Sequence, residues 1–147
     1  MFKRVLITLA STVVALGLFS GVSPASADVE FPTSGDVIRY EFVSNKKLND
    51  SIIWYDAYSD MQMFPDPDTD DYTGVIFNGT FVGTDGVTYY RVTKTFTSRS
   101  TYQLVGGAVS ADYENSNGNN YVRCATYVNG VQTSFEYAEG RYATAYC

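Results

Sequence analysis

The 147-residue chain carries sixteen acidic and ten basic side chains, a formal charge of −6 at pH 7. Contacts to phosphate need clustered Lys and Arg, so this balance argues against nucleic acid and against an anionic lipid surface as partners. The sequence contains no histidine, which removes Ser-His-Asp and Cys-His catalysis and most zinc sites.

The chain opens with "MFKRVLITLASTVVALGLFSGVSPASA". Lys3 and Arg4 form a basic start, and an apolar or small-residue run extends to Val22. Pro24 breaks it, and Ala25-Ser26-Ala27 has the small-x-small form of a signal peptidase site. Residues 1–27 therefore read as a signal peptide. The alternative is an N-terminal anchor left uncleaved in the plasma membrane, since a run of about 18 residues is just long enough to span a bilayer. Either way residues 28–147 are exported, to the cell envelope or the medium, and have the length of one domain. Lys3 and Arg4 would leave with the leader, so this domain holds eight basic against sixteen acidic residues, a charge of −8. A domain of this size buries roughly two-thirds of its unfolded surface and needs no metal or other cofactor to fold.

The stretch "DVEFPTSG" is expected to be flexible. "DVIRYEFVS", Asp36 to Ser44, alternates Ile38, Tyr40 and Phe42 against Arg39 and Glu41, the period of a strand. A polar loop leads to a second strand, "SIIWYDAYS" from Ser51 to Ser59, with the only tryptophan. "PDPDTDD", Pro65 to Asp71, cannot hold a central strand. Within it Asp66, Asp68 and Asp70 alternate like the first ligands of a calcium loop. The match then fails, because the sixth position is Asp71 where glycine is needed and the twelfth is Phe77 where glutamate is needed. The two readings are a loose extracellular calcium site and a solvated acidic loop.

"TGVIFNGTFVG", Thr73 to Gly83, is one bulged strand or two short ones. Strands over Gly86–Thr97 and Thr101–Tyr113 follow. The adjacent Tyr89 and Tyr90 must point to opposite faces of their strand. After "ENSNGNN" comes a hairpin whose turn is Asn129-Gly130, the preferred type I′ pair because both positions need positive φ. On its first strand, Tyr121 to Val128, the side chains of Val122, Cys124, Thr126 and Val128 share a face. A last strand lies in "RYATAYC", with Ala143, Ala145 and Cys147 on one face. Export places Cys124 and Cys147 in an oxidising compartment, where an isolated even pair forms a disulfide. Small alanines beside Cys147 leave room for the cystine in a core. The resulting expectation is an antiparallel β-sandwich of about seven or eight strands with one disulfide.

Catalysis is not expected. Asp56, Asp112 and Glu114 are the carboxylates placed near strand ends, and a two-carboxylate glycosidase would need a cleft built around them. Thirteen tyrosines could form a platform for sugars or lipids, or simply serve as strand formers with wetted hydroxyls.

"VIRYEF", "SIIWYDAYSDMQ", "RCATYVNGVQ" and the closing "EGRYATAYC" together resemble the MmpS family of actinobacterial transport accessory proteins. The positions that carry the resemblance are Val37, Tyr40, Glu41, Ile53, Tyr55, Asp56, Cys124, Val128, Asn129, Gly130, Val131 and Cys147. The family's central Leu-Pro-Trp-like segment is missing, and the middle of the chain is longer. The resemblance implies an immunoglobulin-like sandwich acting beside a large MmpL-type RND transporter in the membrane, with envelope lipids or lipidic siderophores as cargo and no bond made or broken. Two alternatives come from the residues alone. One is a free secreted module binding a sugar or an apolar small molecule, with Trp54 as its fluorescent reporter. The other is a small secreted enzyme or an inhibitor presenting "FPDPDTDD" or "ENSNGNN".

Overall fold

A computed structural model describes residues 31–66, 74–112 and 118–147. The expected leader at 1–27 lies outside the described residues, as do Asp68, Asp70 and Glu114.

Every regular element among the described residues is a β-strand. In chain order they are β1 (Val37–Ser44), β2 (Leu48–Asn49), β3 (Ser51–Tyr55), β4 (Met61–Phe64), β5 (Val75–Ile76), β6 (Gly79–Val82), β7 (Thr88–Thr97), β8 (Gly107–Ser110), β9 (Tyr121–Val128), β10 (Val131–Glu139) and β11 (Thr144–Tyr146). The larger sheet runs β10-β9-β1-β7-β6 and the smaller β11-β8-β3-β4, while β2 and β5 form a two-residue ladder of their own. All pairings are antiparallel. Among the described residues eleven strands stand where seven or eight were expected, because β2, β4 and β5 are short pieces that alternation alone does not reveal.

The core is built from the inward faces of both sheets. Ile38, Tyr40 and Phe42 of β1, with Val122 and Cys124 of β9, meet Ile52 of β3, Val109 of β8 and Ala145 of β11. Each of these side chains is at most 1% exposed. Burial of this kind stabilises by roughly 25 cal/mol per Å² of apolar surface. The alternation read in "VIRYEF" is the alternation found.

Several strand ends differ from expectation, each for a local reason. The strand expected to reach Ser59 stops at Tyr55, because Asp56 turns the chain. Its carboxylate accepts from the amides of Tyr58 (2.8 Å) and Asp60 (3.1 Å) and from the Gln62 side-chain amide (3.0 Å). The chain then returns as β4, which sequence patterning missed. In the expected Thr73–Gly83 segment the described residues 74–83 hold two short strands, β5 and β6. In the expected Thr101–Tyr113 strand, only Gly107–Ser110 is strand among the described residues 101–112. Upstream of it Gln103 is fully buried and takes its bonds outside any ladder. Its amide donates to the carbonyls of Asp56 (2.9 Å) and Leu104 (2.7 Å), and its Oε1 accepts from the Ser98 hydroxyl (2.8 Å). The "FPTSG" end, expected to be flexible, is held in place. Phe31 packs on Tyr102 with ring centres 4.5 Å apart, Pro32 O accepts from Gln103 N, and Gly35 N donates to Ser98 O.

The hairpin turn is as expected. Asn129 has φ 51° and Gly130 φ 82°, a geometry that favours glycine and tolerates asparagine. The Asn129 side chain also holds the start of β1. It accepts from Val37 N (2.9 Å) and donates to Asp36 Oδ1 (2.7 Å). Cys124 and Cys147 form the expected disulfide, with Cα atoms 5.4 Å apart across a sequence separation of 23. It joins β9 of the larger sheet to the residue just after β11 of the smaller. That terminal residue is paired as well, through Cys147 N to Gly107 O and Gly107 N to Cys147 O.

Cys124→Ser is expected to free the C-terminal strand and cost about 2–5 kcal/mol, read as a lowered midpoint in urea unfolding. An unchanged midpoint would mean that the ladder to β8 and the packing of Ala145 in the core keep the C-terminal strand in place without the cystine.

Candidate functional site

Strand β1 is central, and two of its outward side chains, Glu41 and Val43, are buried. Val43 lies between Arg91 of β7 and Arg123 of β9 in the register, and it is fully buried. Glu41 is outward too, yet only 8% exposed. Arg123 Nη2 donates to Glu41 Oε1 at 2.6 Å, and Arg91 Nη1 stands 3.6 Å from Glu41 Oε2. Two guanidinium groups thus share one carboxylate. Such a desolvated carboxylate is tolerable only because it is paired and hydrogen-bonded.

Beside this cluster runs a row of rings. Phe81 and Tyr89 are 5.6 Å apart between centres, Tyr89 and Tyr121 5.4 Å, Tyr121 and Tyr137 5.9 Å, and Tyr137 and Phe135 6.4 Å. These spacings lie in the favourable range for aromatic pairs. The register explains how they meet. β1 ends at Ser44, which pairs with Tyr90 on one side and Val122 on the other. The neighbouring strands run one step further, to Tyr89 and Tyr121, and no strand lies between them there. The two rings close that gap at an interplanar angle of 67°. Asn45 caps the end of β1 by mimicking a ladder. Its backbone N donates to Tyr121 O (3.1 Å), its Oδ1 accepts from Tyr121 N (2.9 Å), and its Nδ2 donates to Asn119 O (2.7 Å).

Two depressions flank the Tyr89–Tyr121 pair, and both residues line both of them. One, of about 370 Å³, adds Phe81, Thr84, Asp85 and Arg123. The other, of about 510 Å³, adds Asn119, Asn120, Glu139 and the backbone at Gly118 and Gly140. The β6–β7 turn shapes the first. A Cβ at Gly83 would stand 2.6 Å from Asp85 Oδ1 and 2.7 Å from the Tyr89 ring, so a larger residue would have to displace these side chains. Asp85 accepts from Val87 N (3.0 Å) and from the Tyr89 hydroxyl (2.7 Å). These bonds, the backbone one first, hold its carboxyl below the usual range, and the same carboxylate pushes the Tyr89 phenol up. Desolvation raises the Tyr121 phenol.

A third depression, of about 500 Å³, lies on the outer face of the smaller sheet. It is lined mainly by apolar groups, among them Ile53, Tyr55, Met61, Ala108 and Tyr146, with Cys147 at its edge.

The residues singled out from sequence are scattered over the structure. Tyr40 is core, its hydroxyl accepting from Gly106 N at 3.2 Å. Asp56 builds a turn, Tyr55 lines the apolar depression, and Asn129-Gly130 locks β1. Of the resemblance positions on β1, Glu41 and Val37 face outward on the larger sheet, and Glu41 alone of the two is buried. Of the calcium candidates, Asp66 is exposed and its two partners lie outside the described residues. Among the described residues no group of three metal-ligating side chains comes together. Trp54 is on the smaller sheet against the core, with the Lys94 amine 4.4 Å from its ring centre, so it is a poor reporter for the cleft. The ring row was missed because it joins β6, β7, β9 and β10. The one available signal was the demand that Tyr89 and Tyr90 face apart. Tyr90 packs on the core and Tyr89 faces outward.

Comparison with protein-family models, curated proteins and solved structures finds no match to this chain.

Glu41→Ala is expected to cost about 3 kcal/mol, because it leaves Arg123 uncompensated in a largely covered position. The Glu41→Ala/Arg123→Ala pair should cost less than the sum of the two single changes in a double-mutant cycle; additive losses would show that the two side chains act independently. The Asp85 carboxyl is depressed in the folded state, so its hold on the β6–β7 turn is fully present above the ordinary carboxylate pKa. It is lost as pH falls through the lowered value. The Tyr89 ring resonances should therefore move in acid in the native chain and stay still in Asp85→Asn. Identical acid titrations of the two would break the link between Asp85 and Tyr89.

Proposed function

We propose that this chain is an exported, non-catalytic binding domain whose ligand sits in the cleft around Tyr89 and Tyr121. The observation that carries the reading is the early end of β1. The neighbouring strands outrun it, and their rings stand over a gap walled by polar side chains. A concave site with aromatic walls and a few directed polar groups is the usual form of a small-molecule site. The absence of histidine supports binding over acyl-transfer chemistry.

A second reading follows from the resemblance to MmpS proteins, in which the domain would assist an MmpL-like transporter and touch a lipidic cargo. The apolar depression beside Cys147 favours it, since Tyr55 and Cys147 are both positions that carry the resemblance and both line that surface. The two readings use opposite faces of the sandwich and are separable.

Amide chemical-shift mapping of the full chain against a mixed library of sugars and apolar fragments should place the shifts at Asn45, Tyr89 and Tyr121. Tyr121→Ala should remove them without altering the fold. Shifts confined to Ile53, Ala108 and Tyr146, together with crosslinking in cells to a large polytopic membrane protein, would replace the first reading with the second.

A further inference from the structure

We propose that the ligand of the Tyr89–Tyr121 cleft is a linear, uncharged oligosaccharide lying across both depressions; this rests on the cleft being the binding site.

The first argument is shape. The two depressions share the tyrosine pair as a common wall, so they lie side by side with the rings between them, a trough in two halves. An extended ligand can occupy both halves, whereas a compact one fills only one.

The second argument is chemistry. A pyranose ring has an apolar face of C–H groups and a rim of hydroxyls. The first packs on aromatic rings, and the second needs donors and acceptors at its edge. The trough offers both in that order. Phe81, Tyr89 and Tyr121 supply rings, and Tyr137 extends the row on an adjacent strand. Thr84 and Asp85 border one end, and Asn119 and Asn120 the other. The near-perpendicular meeting of Tyr89 and Tyr121 makes a corner, which can hold the face of one sugar ring against one tyrosine and its edge against the other.

The third argument is charge. Glu41 is shared by Arg91 and Arg123, and Asp85 is bonded to the Tyr89 hydroxyl. The charges bordering the trough, Asp85, Glu139 and Arg123, include both signs. Arg123 is already held by Glu41, so the trough presents no basic cluster to select a phosphate. A lipid tail is disfavoured as well, because covering Asp85 and the asparagines with hydrocarbon would desolvate polar groups without replacing their bonds.

The test is calorimetric and NMR titration of the full chain with cellohexaose, chitohexaose and maltohexaose, with their disaccharides, and with a lysophospholipid as the apolar probe. At least one hexasaccharide should bind saturably, with its disaccharide weaker by about tenfold or more because only half the trough is filled. Tyr89→Ala and Tyr121→Ala should each weaken it by about tenfold, the loss of one aromatic anchor. Tyr121→Phe keeps the ring and should retain most of the affinity, and Val131→Ala, at the remote hairpin, should change nothing. Circular dichroism of each variant guards against unfolding, and Tyr89→Ala carries the test if Tyr121→Ala does not fold. Hexasaccharide binding that survives the folded alanine variants overturns the placement. Lysophospholipid shifts at Tyr89 and Tyr121 without glycan binding overturn the sugar but leave the cleft as the site. If no probe moves those resonances, the sugar and the cleft reading fail together.

Discussion

Strand β1 is hydrogen-bonded on both sides and, from Tyr40 to Ser44, buried on both faces, and most of the structure answers to that. Its inward residues Ile38, Tyr40 and Phe42 are the centre of the sandwich core. Its outward residues include a buried valine and a nearly buried glutamate. A carboxylate so placed needs partners, and the register supplies Arg91 and Arg123 from the two flanking strands. Those guanidiniums in turn lie near rings, Arg91 about 5.8 Å from the Phe81 centre and Arg123 about 5.9 Å from Phe135. Cation–π contacts at partly exposed sites contribute on the order of 0.5–1 kcal/mol each. The ordered outer face is thus a consequence of satisfying one acidic side chain in mid-sheet.

The two ends of β1 are finished differently. At its start, Asn129 of the β9–β10 turn takes the amide of Val37 and reaches Asp36. That contact joins residues more than ninety positions apart in sequence, so it sets the register of the larger sheet only after the hairpin has formed. At its end, Asn45 imitates one more ladder residue and then the strand stops. The first end is closed and the second is open, which is why the trough lies where it does. The disulfide ties β9 to the terminal residue after β11, an edge strand of the smaller sheet, and so links the two sheets covalently.

What could be read from the sequence was what alternation and local turn chemistry determine. "VIRYEF" named its own core residues, Asn129-Gly130 named its own turn, and the two cysteines named each other once export was assumed. The strand end at Asp56 was hidden because a carboxylate capping its own turn looks in sequence like any polar residue in an alternating run. The Thr101–Gly106 segment was taken for strand because Tyr, Leu and Val favour strands. In the structure the buried Gln103 takes three partners outside any ladder. The resemblance to MmpS proteins rested largely on residues that turn out to be core, cap or cystine, and such residues report on fold more than on function.

The candidate site was illegible for a more general reason. Phe81, Tyr89, Tyr121 and Tyr137 come from four strands, and each is unremarkable as a strand residue. Their juxtaposition requires knowing that β7 and β9 both pair with β1 and both run past its end. A shift of one residue in either pairing would turn one ring inward and break the row. The register that prevents this shift is held by the inward residues of β7 and β9, since the slip would drive Tyr90, Val92 and Phe96, or Val122 and Cys124, out of the core. The trough is therefore tied to the core by parity: as long as Tyr90 and Val122 face the core, Tyr89 and Tyr121 face the outer side.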